Sequence, residues 1–125
     1  MENKKVVLAI DDNPVDINTF KGILVPRFIL RASKSASDAL AFLNANHADI
    51  ILLDIEMPNI CGFEFLKDIR KIPSYMTVPV IIVSSKTGNE FFTEAKNSSA
   101  FNVISKPVKP ENLIETIRKA LAETV

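Results

Sequence analysis

Five short apolar runs alternate along the chain with five segments whose apolar residues recur every three or four positions. The runs, Lys5–Ile10, Phe28–Ala32, Asp49–Asp54, Val78–Ser84 and Phe101–Ser105, are continuous rather than alternating. Continuity over so few residues reads as strands buried on both faces. The intervening segments carry helix signals. Asp12 or Asn13 can cap a first helix with Pro14 in its opening turn, and Ile17, Phe20 and Leu24 form its stripe. Ser37 can cap a second, with Ala39, Leu40 and Leu43 inward. A third spans Gly62–Arg70 and buries some of Phe63, Phe65, Leu66 and Ile69. A fourth covers Asn89–Asn97 with Phe91, Phe92 and Ala95, and the last opens at Pro110 and aligns Leu113, Ile117, Ala120 and Leu121.

Strand–helix alternation with short connections predicts an α/β fold: a parallel sheet, helices on both faces, right-handed crossovers. Five units make the flavodoxin-like (βα)5 doubly wound sheet, with strand order 2-1-3-4-5, the leading arrangement. At 125 residues the chain suits one domain over 1–125. The 15 basic and 15 acidic residues cancel, so no global field favours nucleic acid or an anionic membrane. A single cysteine, Cys61, excludes an internal disulfide and fits a reducing, cytoplasmic setting. No apolar stretch approaches the ~20 residues of a membrane span, and the run after the first lysines is too short for a signal peptide.

Charge changes the picture at the carboxyl ends of the runs. Asp11 and Asp12 close the first, Asp54 closes the third, Ser84 ends the fourth, and Lys106-Pro107 follows the fifth. In a parallel sheet of this order these ends border one crevice at the switch between strands one and three. Adjacent carboxylates repel unless protons or a cation neutralise them. Mg²⁺, which prefers hard oxygens and keeps several waters, is the apt ion. Asp54 is then the candidate nucleophile, since carboxylates form acyl phosphates, and Lys106 the ammonium that neutralises phosphoryl oxygens. The Ser84 hydroxyl is placed to hydrogen-bond such an oxygen. Taken singly, each has a plainer reading: an aspartate as helix cap, a solvated lysine, a loop serine.

Taken together, Asp11-Asp12, Asp54 with Pro58 and Gly62 downstream, Ser84 and Lys106-Pro107 resemble the receiver domain of bacterial two-component response regulators, from about Lys5 to Leu121. The resemblance implies that Asp54 accepts phosphate from the phosphohistidine of a sensor histidine kinase or a histidine phosphotransfer protein. It implies that Asp12, Asp54 and the backbone carbonyl of Glu56 ligate Mg²⁺, with Asp11 acting through water. Lys106 would pair with Asp54 or its phosphate, and Ser84 would move onto the phosphoryl group as the switch. The function implied is a phosphorylation-activated step in a phosphorelay. Its output would be contact with a downstream target protein through helix four, strand five and helix five, as a monomer or a phosphorylation-dependent dimer. No effector domain is expected after the last helix, so direct nucleic-acid binding is not.

The chain departs from the family pattern where output is coupled. Val103 stands three before Lys106, where an aromatic residue or histidine is usual, and an isopropyl group cannot act as a swinging ring. Phe101 shares strand parity with Val103 and so is expected on the same face. Ser85, Ser99 and Val108 stand where alanine or another small residue, a glycine and a phenylalanine are usual. Glu56 and Lys86, two after Asp54 and Ser84, are expected to pair across the phosphoryl group and shield it from water. A degenerate receiver acting as a scaffold is one alternative. The other, an aspartate-nucleophile phosphohydrolase, usually has a second aspartate where this chain has Glu56. His47 reads as a helix-end dipole contact and Cys61 as a bystander. One of Phe91 and Phe92 is expected to be exposed, because adjacent helical residues point about 100° apart.

Overall fold

The computed structural model describes residues 4–123. Its elements follow one another as β1 (Val6–Ile10), α1 (Pro14–Leu24), β2 (Ile29–Ser33), α2 (Ala36–Ala45), β3 (Ile50–Leu53), α3 (Gly62–Arg70), a 3₁₀ turn (Pro73–Tyr75), β4 (Val80–Ser84), α4 (Asn89–Asn97), β5 (Asn102–Ser105) and α5 (Pro110–Glu123). The five strands are parallel and lie in the order β2-β1-β3-β4-β5. This is the flavodoxin-like arrangement that the alternation of runs and stripes predicts.

Strand periodicity divides the core in two. Leu8, Ile10, Ile51, Leu53 and Ile82 face α2, α3 and α4, where Leu43, Leu66, Ile69 and Phe91 meet them. Val7, Ala9, Ile50, Leu52, Ile81 and Val83 face α1 and α5, against Phe20, Leu24, Leu113 and Ile117. Successive side chains of a strand point to opposite faces, so β3 and β4 are apolar on both, and every residue of the two is buried, Ser84 at the end of β4 being the one polar member. The edge strands β2 and β5 are only partly buried.

Element ends shift by a residue or two where backbone chemistry dictates. β4 opens at Val80 rather than Val78 because Pro79 has no N–H for the ladder. β2 continues to Ser33, which pairs with Ile10. The cap of α2 is Ser35, not Ser37: its hydroxyl accepts the Asp38 N–H at 3.1 Å. Ala36 packs on the core one turn before Ala39 and Leu40, so the helix begins earlier than the leucine stripe suggests. In α1 the choice between Asp12 and Asn13 resolves to Asn13, whose side chain accepts from the Val15 N–H with Pro14 at the first position.

Two expectations fail in instructive ways. Phe101 and Val103 do not share a face. Val103 packs with the α2–α4 side and Phe101 with the α1–α5 side. The strand starts only at Asn102, so alternation does not extend back to Phe101. His47 lies beyond the α2 cap, Asn46, and its Nε2 sits 2.7 Å from Asp49 Oδ1 instead of against the helix end. The paired phenylalanines behave as expected, Phe91 being 5% and Phe92 42% exposed.

Candidate functional site

The crevice at the carboxyl ends of β1, β3 and β5 is built by strand register. Asp11 follows Ile10 and Asp54 follows Leu53, and Ile10 and Leu53 are direct partners across the β1–β3 ladder. The ladder continues past the strands, for the Asp54 N–H donates to the Ile10 carbonyl at 3.0 Å. On the other side the Asp11 N–H donates to Ser33. The Lys106 N–H donates to the Ser84 carbonyl at 2.9 Å and fixes the last residue of the set to the end of β4.

Ligand oxygens of Asp11, Asp12 and Asp54 all lie within 4.8 Å of one another. Asp11 is 1% and Asp54 6% exposed, while Asp12 is open to solvent. Each buried carboxylate is oriented by a backbone amide two residues ahead. Asp11 Oδ1 accepts from Asn13 and Asp54 Oδ1 from Glu56, both at 2.9 Å. Their other oxygens face Lys106, whose Nζ donates to Asp11 Oδ2 at 3.0 Å and to Asp54 Oδ2 at 3.4 Å.

The electrostatics follow from crowding. Burial pushes the Asp11 carboxyl above its ordinary range, and the Asp54 charge adds to it, against the pull of the Asn13 amide and Lys106. Burial alone would depress the Lys106 ammonium, but hydrogen bonds to Asp16 and Asp11, with the charges of Asp54 and Asp11, outweigh it and raise its pKa. The lysine is therefore held as a cation. One ammonium does not balance this many acids, and a divalent cation on hard oxygens would relieve the remainder. An all-carboxylate set with one member exposed to water fits a metal that keeps part of its hydration shell.

The loops above the crevice differ from expectation. Among the described residues no ion pair joins Glu56 to Lys86. Glu56 Oε2 instead accepts from the Ser85 hydroxyl at 2.7 Å and from the Ser85 N–H at 3.3 Å. That hydroxyl is the main reason the Glu56 carboxyl lies below its ordinary range. A serine two bonds from its own backbone competes better than a long, solvated lysine, which must give up more side-chain freedom. Ser84 is buried, and its hydroxyl accepts the Lys86 N–H at 3.0 Å, closing the turn after β4. Gly62 has a structural reason: a Cβ there would stand 2.6 Å from Ile55 Cα and 2.9 Å from its carbonyl oxygen. Only glycine lets α3 seat against the loop that carries Asp54.

Sequence reasoning passed over one member of the cluster. Asp16, in the first turn of α1, accepts from Lys106 Nζ at 2.7 Å, the shortest of the three bonds. An acid there reads as complementing the helix dipole, and nothing in its spacing reveals that a lysine ninety residues away will reach it.

The fold and this cluster together define a class. A model of the response regulator receiver domain matches residues 7–118, and the chain belongs to that family, the receivers of two-component signalling. It is 30% identical over 118 residues to PilH of Pseudomonas aeruginosa, a match covering 93% of this chain and 97% of PilH. The fold superimposes on the crystal structure of the chemotaxis protein CheY4 of Vibrio cholerae with a TM-score of 0.88 at 28% identity, over 95% of this chain and all of that one. It is also 30% identical to the hydrogenase transcriptional regulatory protein HoxA of Cupriavidus necator, of which it spans a quarter.

Proposed function

We propose that this receiver is switched by phosphorylation of Asp54. The observation that carries the reading is a buried aspartate at the end of β3, grouped with the carboxylates of Asp11 and Asp12 and within reach of Lys106. In the reaction a carboxylate oxygen of Asp54 attacks phosphorus, the P–N bond to a donor imidazole breaks, and the imidazole leaves with its electron pair and takes up a proton. Mg²⁺ held by Asp11, Asp12, Asp54 and the Glu56 carbonyl would supply positive charge to the phosphoryl oxygens. Lys106 supplies a second positive charge. Ser84, released from the Lys86 amide, offers a hydroxyl to the same group.

The donor in this reading is a sensor histidine kinase or a histidine phosphotransfer protein, and the setting is cytoplasmic. The described residues contain no helix long and apolar enough to cross a membrane. Residues 1–125 act as one receiver domain whose output is contact with a target protein, as a monomer or a phosphorylation-dependent dimer, with no turnover of outside substrates. Phosphorylation shifts a pre-existing equilibrium by the difference in phosphoryl affinity between its two states.

Intact-mass spectrometry after incubation with acetyl phosphate tests the proposal. The expected result is one added phosphate that needs Mg²⁺ and is absent from Asp54→Asn. A folded wild type that takes no phosphate from acetyl phosphate or from phosphohistidine donors would instead leave a scaffold.

A further inference from the structure

Resting on the reading of Asp54 as phosphoacceptor, we infer that Asp16 is a positioning residue that competes with the phosphoryl group for the Lys106 ammonium. An ammonium has three protons, and here three carboxylates take them. The bonds run 2.7 Å to Asp16, 3.0 Å to Asp11 and 3.4 Å to Asp54. The lysine is thus held hardest by an acid outside the metal-type cluster and least by the residue it is to serve. A phosphoryl group on Asp54 inherits the N–H that Asp54 takes at 3.4 Å, and drawing Lys106 close enough for a full bond must loosen its hold on Asp16 or Asp11.

Burial decides which acceptor yields. The Asp11 side chain is almost wholly enclosed, and releasing it would leave a buried carboxylate short of a partner. The Asp16 side chain is more than a quarter exposed and stands in the opening turn of α1, where water can replace the lysine. Asp16 therefore serves as the exchangeable partner. It holds the ammonium in place before phosphorylation, and its release accompanies the turn of Lys106 toward the phosphoryl group. Because it bids against that group with a full negative charge, Asp16 weakens the hold of Lys106 on it.

Beryllofluoride, a stable mimic of the phosphoryl group, gives the measurement. Wild type, Asp16→Asn and Asp16→Glu are titrated in Mg²⁺ by calorimetry. Asp16→Asn keeps the shape and loses the competing charge, and it is expected to bind about fivefold more tightly, the scale of one partly exposed ion pair. Asp16→Glu, with the charge restored, is expected to fall back toward wild type. Equal or weaker binding by Asp16→Asn overturns the inference. A second readout needs neither metal nor phosphoryl mimic. With a chelator present, acetylation by an N-hydroxysuccinimide ester, mapped by mass spectrometry, should label Lys106 several-fold faster in Asp16→Asn while the other lysines keep their rates. An unchanged Lys106 rate overturns the inference, and a simple helix-dipole role for Asp16 would give that result. If wild type binds no beryllofluoride, the reading of Asp54 fails and the labelling alone decides the role of Asp16.

Discussion

Two aspartates flank β3 in the sequence DIILLD, and they have opposite lives. Asp49, before the strand, sends Oδ2 to the Val6 N–H and Oδ1 to His47, both at 2.7 Å. Its charge satisfies a backbone donor at the amino end of the sheet and meets a ring in solvent. Asp54, after the strand, has one backbone donor at 2.9 Å and an ammonium at 3.4 Å that it shares with two other acids, and like charges surround it. Four residues separate them. The amino end of this sheet spends polar groups on closing the backbone: Tyr75 donates to the Asn46 carbonyl and accepts the Ala48 N–H, and Arg70 ties down the Tyr75 and Val78 carbonyls. The carboxyl end collects charges that oppose one another. Such unrelieved repulsion marks a site kept for a ligand rather than for stability.

The comparison breaks most readily at Lys106. At neutral pH Lys106→Ala is expected to cost about 3 kcal/mol, the scale for removing one partner of a buried ion pair, because Asp11 and Asp54 lose their counter-charge together. Chemical denaturation with and without Mg²⁺ checks this, and the metal should recover part of the loss. A cost under about 0.5 kcal/mol would mean that the amine is a surface lysine after all.

How much of this was legible in the sequence depends on whether a feature rests on local or distant contacts. The strands were readable because central strands of a parallel sheet must be apolar on both faces, so DIILLD admits few other fates. The site was readable because its residues follow those strands directly, and topology alone brings Asp11, Asp12, Asp54 and Lys106 together. Asp16 was not, because one turn into a helix its partner is decided by three-dimensional reach. The partner of Glu56 failed similarly: position named the two loops, but rotamer competition between Ser85 and Lys86 chose the serine. Phe101 was misplaced because parity was extended across a bend. Val103, where the family usually has a ring, makes a half-buried contact on the α2–α4 side of the core and pairs with Ile82 in the β4–β5 ladder.

A sharper form of the comparison is the same substitution at both ends of β3. Without metal, Asp54→Asn removes one of several crowded charges and is expected to stabilise the fold by about 1 kcal/mol, while the proposed function has it lose phosphate uptake. Asp49→Asn weakens a charge-assisted bond to Val6 and loses the contact with His47, and it is expected to destabilise by about 1 kcal/mol. Thermal melts in a chelating buffer read both. Shifts of the same sign would show that Asp54 is structural in the way that Asp49 is. With Mg²⁺ added the gain of Asp54→Asn should shrink, since the cation relieves the wild type of the same repulsion.

The smallest effect separates the two ends by acid. Burial works against ionising Asp49, but the Val6 N–H, the contact with His47 and the Lys5 charge outweigh it, so its folded pKa lies below the ordinary value of 3.8. A depressed carboxylate stabilises the fold above its unfolded pKa, and the contribution is lost as pH falls through the folded one. Asp11 is shifted upward, mainly by burial, so its sign reverses. Protonation there favours the folded state, and stability is gained as pH falls from the raised folded value toward 3.8. The two ends of the sheet thus pull against each other in acid. Stability measured from pH 6 down to about pH 3 should show wild type and Asp49→Asn converging, by well under 1 kcal/mol because the pair is partly solvated. Parallel curves would mean that the bond to Val6 gives Asp49 no charge preference. The carboxylate before β3 would then be held by geometry alone, and the contrast between the two aspartates would reduce to the crowding around Asp54.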